Sequence, residues 1–186
     1  GGDPLQFTNL SGVPAYAAVE QQLDTRLDER LQEAAAEPAQ PFCSGDGNPG
    51  LCPCGNESEI GAGEGCRNSS GVGAVLEASG SPSVANDDLV FHLSQGPPNQ
   101  FSLLLQSDST RSVLFKDGLI CLGNPLHRME LVVLDGAGSG STTISVVTKG
   151  GVTPGDTRYY QQWYRDPAGS CGMFSNLTNA LIVNWE

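Results

Sequence analysis

The segment Thr157–Tyr164, which reads TRYYQQWY, decides the fold class because aromatic and amide side chains alternate along it. Successive side chains of a β-strand point to opposite faces of the sheet, so the segment predicts a strand with rings on both faces. The faces carry these side chains: Tyr159, Gln161 and Trp163 on one, and Tyr160, Gln162 and Tyr164 on the other. One face has to pack in a core.

The second face of this strand has two interpretations. It either packs as well, in the core or at a sheet edge, or it presents its rings to solvent or to a partner. Secreted β-sandwiches bind sugars by stacking them on exposed aromatic side chains. On that second interpretation the candidate ligand-binding residues are Tyr159, Tyr160, Trp163 and Tyr164.

Short runs with the same alternation recur along the chain, as in Leu89–Leu93 (LVFHL), and Gly, Pro, Asn and Asp separate them. We expect nine strands, near Gly73–Ala78, Leu89–Ser94, Phe101–Gln106, Ser112–Phe115, Leu119–Cys121, His127–Leu134, Thr142–Val147, Thr157–Tyr164 and Leu181–Trp185. Their close spacing, without helices between them, predicts an all-β fold, an antiparallel β-sandwich of the jelly-roll or Greek-key kind. A parallel α/β sheet is excluded because it requires crossover helices.

The N-terminal part of the chain differs and predicts a division into an assembly arm, residues 1–41, and a disulfide-bonded β-sandwich domain, residues 42–186. Pro14 suits the first turn of an N-terminal α-helix that continues to Ala36, because the intervening residues are strong helix formers. Pro38 follows it, and prolines at this point end a helix and stiffen the linker.

The apolar side chains of this arm predict its role. Those in the helix repeat every fourth residue and form one narrow stripe, which has to be buried on the same chain or against another subunit. Those before the helix alternate, so they predict a short strand that an exposed sheet edge of another subunit could accept. The candidate assembly residues are Leu5, Phe7, Val19, Leu23, Leu27 and Leu31.

Length and charge exclude several classes of partner. The 186 residues suffice for one domain with an appendage. The formal net charge is −12, with 21 carboxylates against nine Lys and Arg, so nucleic acid and anionic membranes are repelled. We find no apolar run near the roughly 18 residues that a membrane span needs, and predict no membrane insertion. The start at Gly1 without Met is expected for a processed secretory protein.

Cysteines concentrate in the segment Pro41–Asn56, PFCSGDGNPGLCPCGN, where neither a helix nor a strand is predicted. The six cysteines of the chain are Cys43, Cys52, Cys54, Cys66, Cys121 and Cys171. Their even number in an acidic, glycine-rich chain favours three disulfides and an extracellular location, because the spacing suits neither a zinc site nor a redox-active C-x-x-C motif. Cys52 and Cys54 flank one proline, so we expect them to bond to Cys43 and Cys66 in either order, which leaves Cys121 for Cys171.

Several motifs from Phe42 to the C-terminus carry a family resemblance. In order they are CPCGN (52–56), GCRNSSGVGAVLEASGSPSVANDDLV (65–90), DGLICLG (117–123), GDTRYYQQWYRDP (155–167) and FSNLTNAL (174–181). This pattern resembles a cysteine-containing domain that recurs in large secreted proteins of planctomycete-type bacteria. The resemblance implies an extracellular, disulfide-bonded β module that is commonly attached to other domains. It implies no settled activity and no catalytic residue.

The motifs of common enzymes are absent, and we predict that the protein is not an enzyme. Gly45–Gly50 matches G-x-G-x-x-G, but its proline and the flanking cysteines prevent the strand–turn–helix that binds a dinucleotide. No G-x-S-x-G motif occurs. His92 and His127 fall within predicted strands, where a histidine is usually an ordinary sheet residue.

Calcium is the one cofactor that the sequence suggests. Oxygen-bearing side chains fall in glycine-rich and turn segments, where backbone carbonyls can also face an ion: Asp46, Asn48, Asp87 and Asp88. The alternative is that these residues make the turns themselves, because Asp and Asn side chains accept hydrogen bonds from nearby backbone. The twelve-residue calcium loop of helix–loop–helix proteins does not occur.

Together these features predict a secreted structural protein, a subunit of an extracellular fibre, filament or surface layer that assembles with itself through its N-terminal segment. The rival prediction is a carbohydrate-binding or adhesive β-sandwich module, with glycans as partners and calcium as a cofactor. Sequons at Asn9, Asn56, Asn68 and Asn176 allow N-glycosylation in a host that performs it.

Overall fold

The computed structural model of the protein describes residues 14–186, without the side chains of residue 15 and residues 29–36. The chain divides into two units, Gly1–Glu37 and Pro38–Glu186. The strand predicted around Leu5 and Phe7 lies outside the described residues.

The first unit contains a 3₁₀ turn, Pro14–Tyr16, and helix α1, Ala17–Ala36. Glu37 is extended, with ψ at 133°, because the residue before a proline avoids the helical conformation. The helix therefore ends where the sequence predicts.

The second unit is mostly β-structure, and all of its described strand pairs are antiparallel. Its strands are β1 (Gln40–Cys43), β2 (Val75–Ser79), β3 (Val90–Ser94), β4 (Phe101–Ser107), β5 (Thr110–Phe115), β6 (Gly118–Leu122), β7 (His127–Val133), β8 (Gly140–Ser141), β9 (Thr157–Arg165) and β10 (Ser175–Asn184). They form a five-stranded sheet in the order β1-β10-β9-β4-β7, a three-stranded sheet in the order β2-β3-β8, and the hairpin β5-β6. The predicted all-β class is confirmed.

The main core lies between the five-stranded and three-stranded sheets. Phe91 of β3 and Tyr160 of β9 are fully buried there, with ring centroids 4.5 Å apart. The opposite face of the five-stranded sheet is covered in part by the β5-β6 hairpin, where Ile120 and Leu122 pack on Leu105. The five-stranded sheet is thus the middle layer of the domain.

The predicted strand Thr142–Val147 is wrong. Strand β8 ends at Ser141, before the predicted strand begins, and the chain after it enters a short second helix, α2 (Val146–Gly150). Ser145 caps this helix, with its Oγ accepting a hydrogen bond of 2.9 Å from the Thr148 N–H, and Gly151 ends it in the left-handed conformation. A capping serine and a terminal glycine outweigh the strand propensity of the β-branched residues.

Besides the two residues of β8, two strand regions were not predicted. Strand β10 begins at Ser175, six residues before the predicted start at Leu181, and contains two buried asparagines, Asn176 and Asn179, a residue type that is typical of turns. Asn179 shows why they fit: its Oδ1 accepts from the Leu76 N–H at 2.6 Å and its Nδ2 donates to the Leu76 carbonyl at 3.0 Å. Strand β1 lies in the predicted linker, where Ala39 is buried, and the second compact unit begins at Pro38.

The loop region, which we define as residues 44–74, contains no strand apart from one isolated bridge between Arg67 and Gly73. Three disulfides cross-link it or its borders: Cys43 with Cys121, Cys52 with Cys66, and Cys54 with Cys171. All six cysteines are bonded, as predicted.

Only part of the predicted disulfide pairing is correct. The bridge of Cys52 with Cys66 is one of the two orders expected, whereas Cys54 does not bond to Cys43, and Cys121 does not bond to Cys171. Strand β1 pairs with β10, and β6 packs across β10. This arrangement brings the Cα atoms of Cys43 and Cys121 within 6.4 Å although 78 residues separate them. Strand packing, and not proximity in the chain, selects the partner.

Candidate interaction surface

Part of the middle sheet has an apolar face that the hairpin leaves open. Cross-strand pairs define it, because Phe101 lies opposite Val133, and Leu103 lies opposite both Leu131 and Trp163. Residues directly opposite in neighbouring strands project from the same face of a sheet. We call these five side chains, Phe101, Leu103, Leu131, Val133 and Trp163, the apolar patch.

The apolar patch is exposed at its outer side and partly covered at its inner side. Phe101, Leu131 and Val133 are 51%, 61% and 60% exposed. Trp163 is half-buried, since Phe115 of the hairpin packs on it with ring centroids 6.1 Å apart. An open groove of about 190 Å³ runs between Trp163 and the exposed side chains. Contiguous apolar surface of this kind marks interaction sites on soluble proteins.

Arginines border the apolar patch. Arg165 lines the groove, and Arg128 lies opposite Leu105 on the same face of the sheet. Both arginines are exposed. They stand out because the chain as a whole is strongly acidic. An acidic apolar partner would be attracted to this face.

Strand β7, which supplies two patch residues, lies at the edge of the five-stranded sheet. Among the described strands it pairs with β4 alone. An edge strand that carries exposed Leu131 and Val133 is a surface on which another chain can dock. Of the residues that the structure describes, this edge combines apolar exposure with positive charge.

Helix α1 of the first unit carries the complementary properties. Val19, Leu23 and Leu27 are 52%, 59% and 58% exposed. Acidic residues follow each of them directly and so run beside the stripe on the helix surface: Glu20, Asp24 and Asp28. The predicted stripe is therefore an exposed apolar line with an acidic border over its described length, whereas the Leu31 side chain lies outside the described residues.

The aromatic residues of β9 do not form an open binding face. Tyr160 and Tyr164 are fully buried between the sheets, and burial raises the pKa of both phenols. Tyr159 packs edge-on against Phe42, with ring centroids 5.2 Å apart. The interpretation in which a face of β9 presents its rings to solvent is wrong for the tyrosines, because the three-stranded sheet covers Tyr160 and Tyr164, and Phe42 packs on Tyr159. The three tyrosine rings instead pack against other side chains, as the alternative interpretation predicts.

The residues predicted to bind calcium are engaged in turns. Asp46 accepts hydrogen bonds from the Gly61 N–H, the Ser44 hydroxyl and the Asn48 N–H, which together lower the pKa of its carboxyl. Asp88 accepts two hydrogen bonds from Ser81, which lower its pKa in the same way.

Asp87, the remaining acidic candidate, bonds to the start of α2 through Ser145 and the Val147 N–H. Within residues 14–186, no group of three or more His, Cys, Asp and Glu side chains is placed to hold a metal. The arrangement matches turn formation, and calcium at these positions stays a prediction.

The two histidines lie in strands, as predicted. The ring of His92 bridges two serines, with Nε2 2.7 Å from the Ser79 Oγ and Nδ1 2.8 Å from the Ser141 Oγ. A hydroxyl beside an imidazole resembles a nucleophile with its base, but the third group is a hydroxyl and not a carboxylate that would stabilise an imidazolium. The three side chains form a polar ladder across β2, β3 and β8 on the outer surface of the sheet.

Three of the four sequons have structural roles. The side chains of Asn56, Asn68 and Asn176 are buried, and each Nδ2 donates to backbone carbonyls. A glycan on any of them would displace these hydrogen bonds. Asn9 lies outside the described residues.

No family model, curated protein or solved structure matches the chain. The three disulfides indicate an oxidising environment of the extracellular type. Over residues 14–186, no helix is both long enough and apolar enough to span a membrane.

Proposed function

We propose that the protein is a secreted, non-enzymatic structural subunit that assembles with itself, and that α1 of one copy binds the apolar patch of another. The observation that carries this proposal is the complementarity of the two surfaces. One is an apolar stripe with an acidic border, and the other is an apolar patch bordered by Arg128 and Arg165.

Each surface includes apolar side chains that are more than half exposed. Burying an apolar side chain that is half exposed contributes roughly 1 kcal/mol, so several such side chains on each side sum to a useful association energy. Opposite charges at the rim speed encounter and fix orientation. Because the two surfaces differ, the contact is heterologous, and such contacts build open filaments when the rotation between copies does not close a ring.

Size-exclusion chromatography with light scattering and electron microscopy of the full chain test the proposal. We expect oligomers or filaments for the unmodified protein. Leu23→Glu on the helix and Leu131→Glu in the patch should each abolish them. Ile60→Glu is the matched control, because Ile60 is 93% exposed in the loop region and lies on neither surface.

Mixing the two disabled variants gives the sharpest result. Leu23→Glu retains an intact patch, and Leu131→Glu retains an intact helix stripe, so together they should form one-to-one dimers and nothing larger. Monomers in every sample, or filaments that survive both substitutions, would disprove this mode of assembly. High ionic strength should weaken the dimers, since the rim contacts are electrostatic.

A glycan-binding adhesive module is the second candidate, and the groove beside Trp163 favours it. The groove offers a half-buried indole, the Phe101 ring and the guanidinium of Arg165, which together suit an acidic sugar. A glycan array probed with the Leu23→Glu variant, which should not assemble and leaves every residue of the groove in place, separates this candidate from self-assembly. Binding to an acidic glycan by a monomeric chain would favour the adhesive module.

A further inference from the structure

Two carboxylates are buried together near the end of β9. Asp117 lies in the turn between β5 and β6, and Asp166 directly follows β9. Both residues are 0% exposed. Among the described residues, neither forms a salt bridge with Lys, Arg or His. Two acidic side chains without a cationic partner are unusual in a protein interior, because burying an unpaired charge is costly.

Each carboxylate has one oxygen with a hydrogen-bond partner and one without. The Oδ1 of Asp117 accepts from the Met173 N–H at 3.0 Å, and the Oδ2 of Asp166 accepts from the Ser69 N–H at 2.9 Å. The other two oxygens, Asp117 Oδ2 and Asp166 Oδ1, are buried and have no partner among the described residues. Buried polar atoms are satisfied in most proteins, so these two indicate a missing partner.

The two carboxylates converge beside Gly169. The Oδ2 atoms of Asp117 and Asp166 both lie within 3.0 Å of the point that a Cβ would occupy on this glycine, and the Oδ2 of Asp166 is the atom that also accepts from Ser69. Burial raises the pKa of Asp117, and the negative charge of Asp166 raises it further. The pair therefore needs a positive charge between its oxygens, which either a shared proton or a metal ion would supply.

We infer that Asp117 and Asp166 bind one calcium ion. One divalent cation neutralises two carboxylates, and hard oxygen donors are the ligands that calcium takes in proteins. Backbone carbonyls and water also serve as calcium ligands, so two carboxylates in turns suffice to start a site. Zinc would seek nitrogen and sulfur donors, and the six cysteines are all in disulfides.

The ion would join four segments that are far apart in the chain. These are the β5-β6 turn, the end of β9, the backbone at Ser69 in the loop region, and the turn containing Gly169 and Cys171. The last turn is already cross-linked to the loop region through Cys54. Calcium would thus stabilise the loop region and the turns beside it, where few strand hydrogen bonds hold the backbone. Extracellular modules bind calcium with dissociation constants of about 0.1 to 1 mM, and we expect this range here.

The test uses the full chain after chelation with EGTA and dialysis. Adding 10 mM CaCl₂ should raise the midpoint of thermal unfolding by about 5 °C, and equal MgCl₂ should raise it far less. Terbium gives a direct signal through Tyr164, because its hydroxyl lies 3.5 Å from the Nδ2 of Asn68, and the next residue, Ser69, donates its N–H to Asp166. We expect terbium luminescence on excitation of the protein, and competition by calcium.

Asp117→Asn and Asp166→Asn should each abolish the thermal shift and the luminescence. Asp108→Asn, at an exposed aspartate in the turn between β4 and β5, is the matched control and should change neither. Equilibrium dialysis of the unmodified chain gives the stoichiometry even where a variant does not fold, and we expect one bound calcium.

Three results would overturn the inference. Dialysis could find no calcium on the unmodified chain, which would mean that the pair shares a proton. The shift could survive in both Asp117→Asn and Asp166→Asn. It could also vanish in Asp46→Asn or Asp88→Asn instead, which would place the ion in one of the turns predicted from sequence.

Discussion

The two sheets of the sandwich and the loop region reach order by different physical means. Between the sheets, apolar side chains such as Phe91, Leu104 and Leu181 are buried, and their removal from water stabilises the fold. In the loop region the buried residues are instead cysteines, glycines, Ala74 and polar residues, which include Asn56, Ser58 and Asn68. A segment with little apolar surface is ordered by cross-links and by hydrogen bonds to its backbone.

Glycine makes this second kind of packing possible. A Cβ on Gly65 would overlap the carbonyl of Leu177 in β10, and a Cβ on Gly45 would overlap the backbone at Cys66. The backbone of the loop region therefore lies directly against other backbone, where a side chain has no room. One small domain thus combines a side-chain core with a backbone-packed region.

Phe91→Ala should have the largest effect on stability. Phe91 is fully buried against Tyr160, and truncating a buried phenylalanine lowers the free energy of unfolding by about 4 kcal/mol. Phe101→Ala is the matched control, because Phe101 is exposed in the apolar patch and should cost less than about 1 kcal/mol. Urea denaturation measures both, and equal losses would contradict the assignment of the core to the space between the sheets.

Cys52→Ala with Cys66→Ala should have the next largest effect. This disulfide closes a short loop within the loop region, 14 residues apart in sequence, and its loss should cost about 3 kcal/mol. We expect proteolysis to cut the loop region first, while circular dichroism still reports the strands of the sandwich. If the strands were lost together with the loop region at the same denaturant concentration, the two regions would be one cooperative unit.

Asn56→Ala tests the amide network on a smaller scale. The Asn56 Nδ2 donates to the carbonyls of Arg67 and Asp117, at 2.8 and 2.9 Å, and the substitution leaves both without this donor. We expect a loss of about 2 kcal/mol in urea denaturation. Asn86→Ala is the control, since its exposed amide donates to the exposed hydroxyl of Ser81 and should matter little. If Asn56→Ala left the free energy of unfolding unchanged, the loop region would depend on its disulfides alone.

The smallest expected effect is on the pH dependence of stability. It should differ between exposed and buried carboxylates. Hydrogen bonds from the Ser139 and Ala137 N–H groups lower the pKa of Asp135 below its usual 3.8. A lowered pKa contributes stability that is present above the unfolded value and is lost as the pH falls through the folded value. Asp135→Asn should therefore be less stable than the unmodified protein near pH 7, and the difference should shrink in urea titrations near pH 2.5.

The contribution of Asp117 to stability should change with pH in the opposite direction, in protein from which calcium has been removed by chelation. Its pKa is raised, mainly by burial and also by Asp166, against the opposing Met173 N–H and the Lys116 charge. A raised pKa contributes stability that is present below the unfolded value and is lost as the pH rises through the folded value. The advantage of Asp117→Asn over the unmodified protein should thus grow as the pH rises above 4. An advantage that shrinks over this range would contradict the buried environment of Asp117.

The sequence of β7 contains an indication of the apolar patch, because the strand has apolar residues on both of its faces. Met129 and Val132 of β7 face the main core, and Leu131 and Val133 face the other way, so the strand is apolar on both sides. A two-sided apolar strand indicates a middle layer with coverings on both faces. How far the covering hairpin extends depends on tertiary packing, and so does the exposure of the patch.

The pairing of Asp117 with Asp166 had no local signal. Both residues stand beside predicted strands in segments that look like ordinary turns, DGL and RDP. They meet because β9 and the β5-β6 hairpin pack together, and the distance between them in the chain is 49 residues. Sequence patterns report which face of a strand a residue occupies, and they do not report which distant turn lies next to it.

By itself the amino-acid sequence determined the β class, the helix that ends before Pro38 and the formation of disulfides, because alternation, proline geometry and cysteine content act locally or through composition. Tertiary structure alone decided which cysteines bond, which aromatic rings are buried and which carboxylates meet. Those outcomes depend on how strands that are distant in the chain pack in three layers, and that arrangement follows from the burial of the whole apolar surface at once.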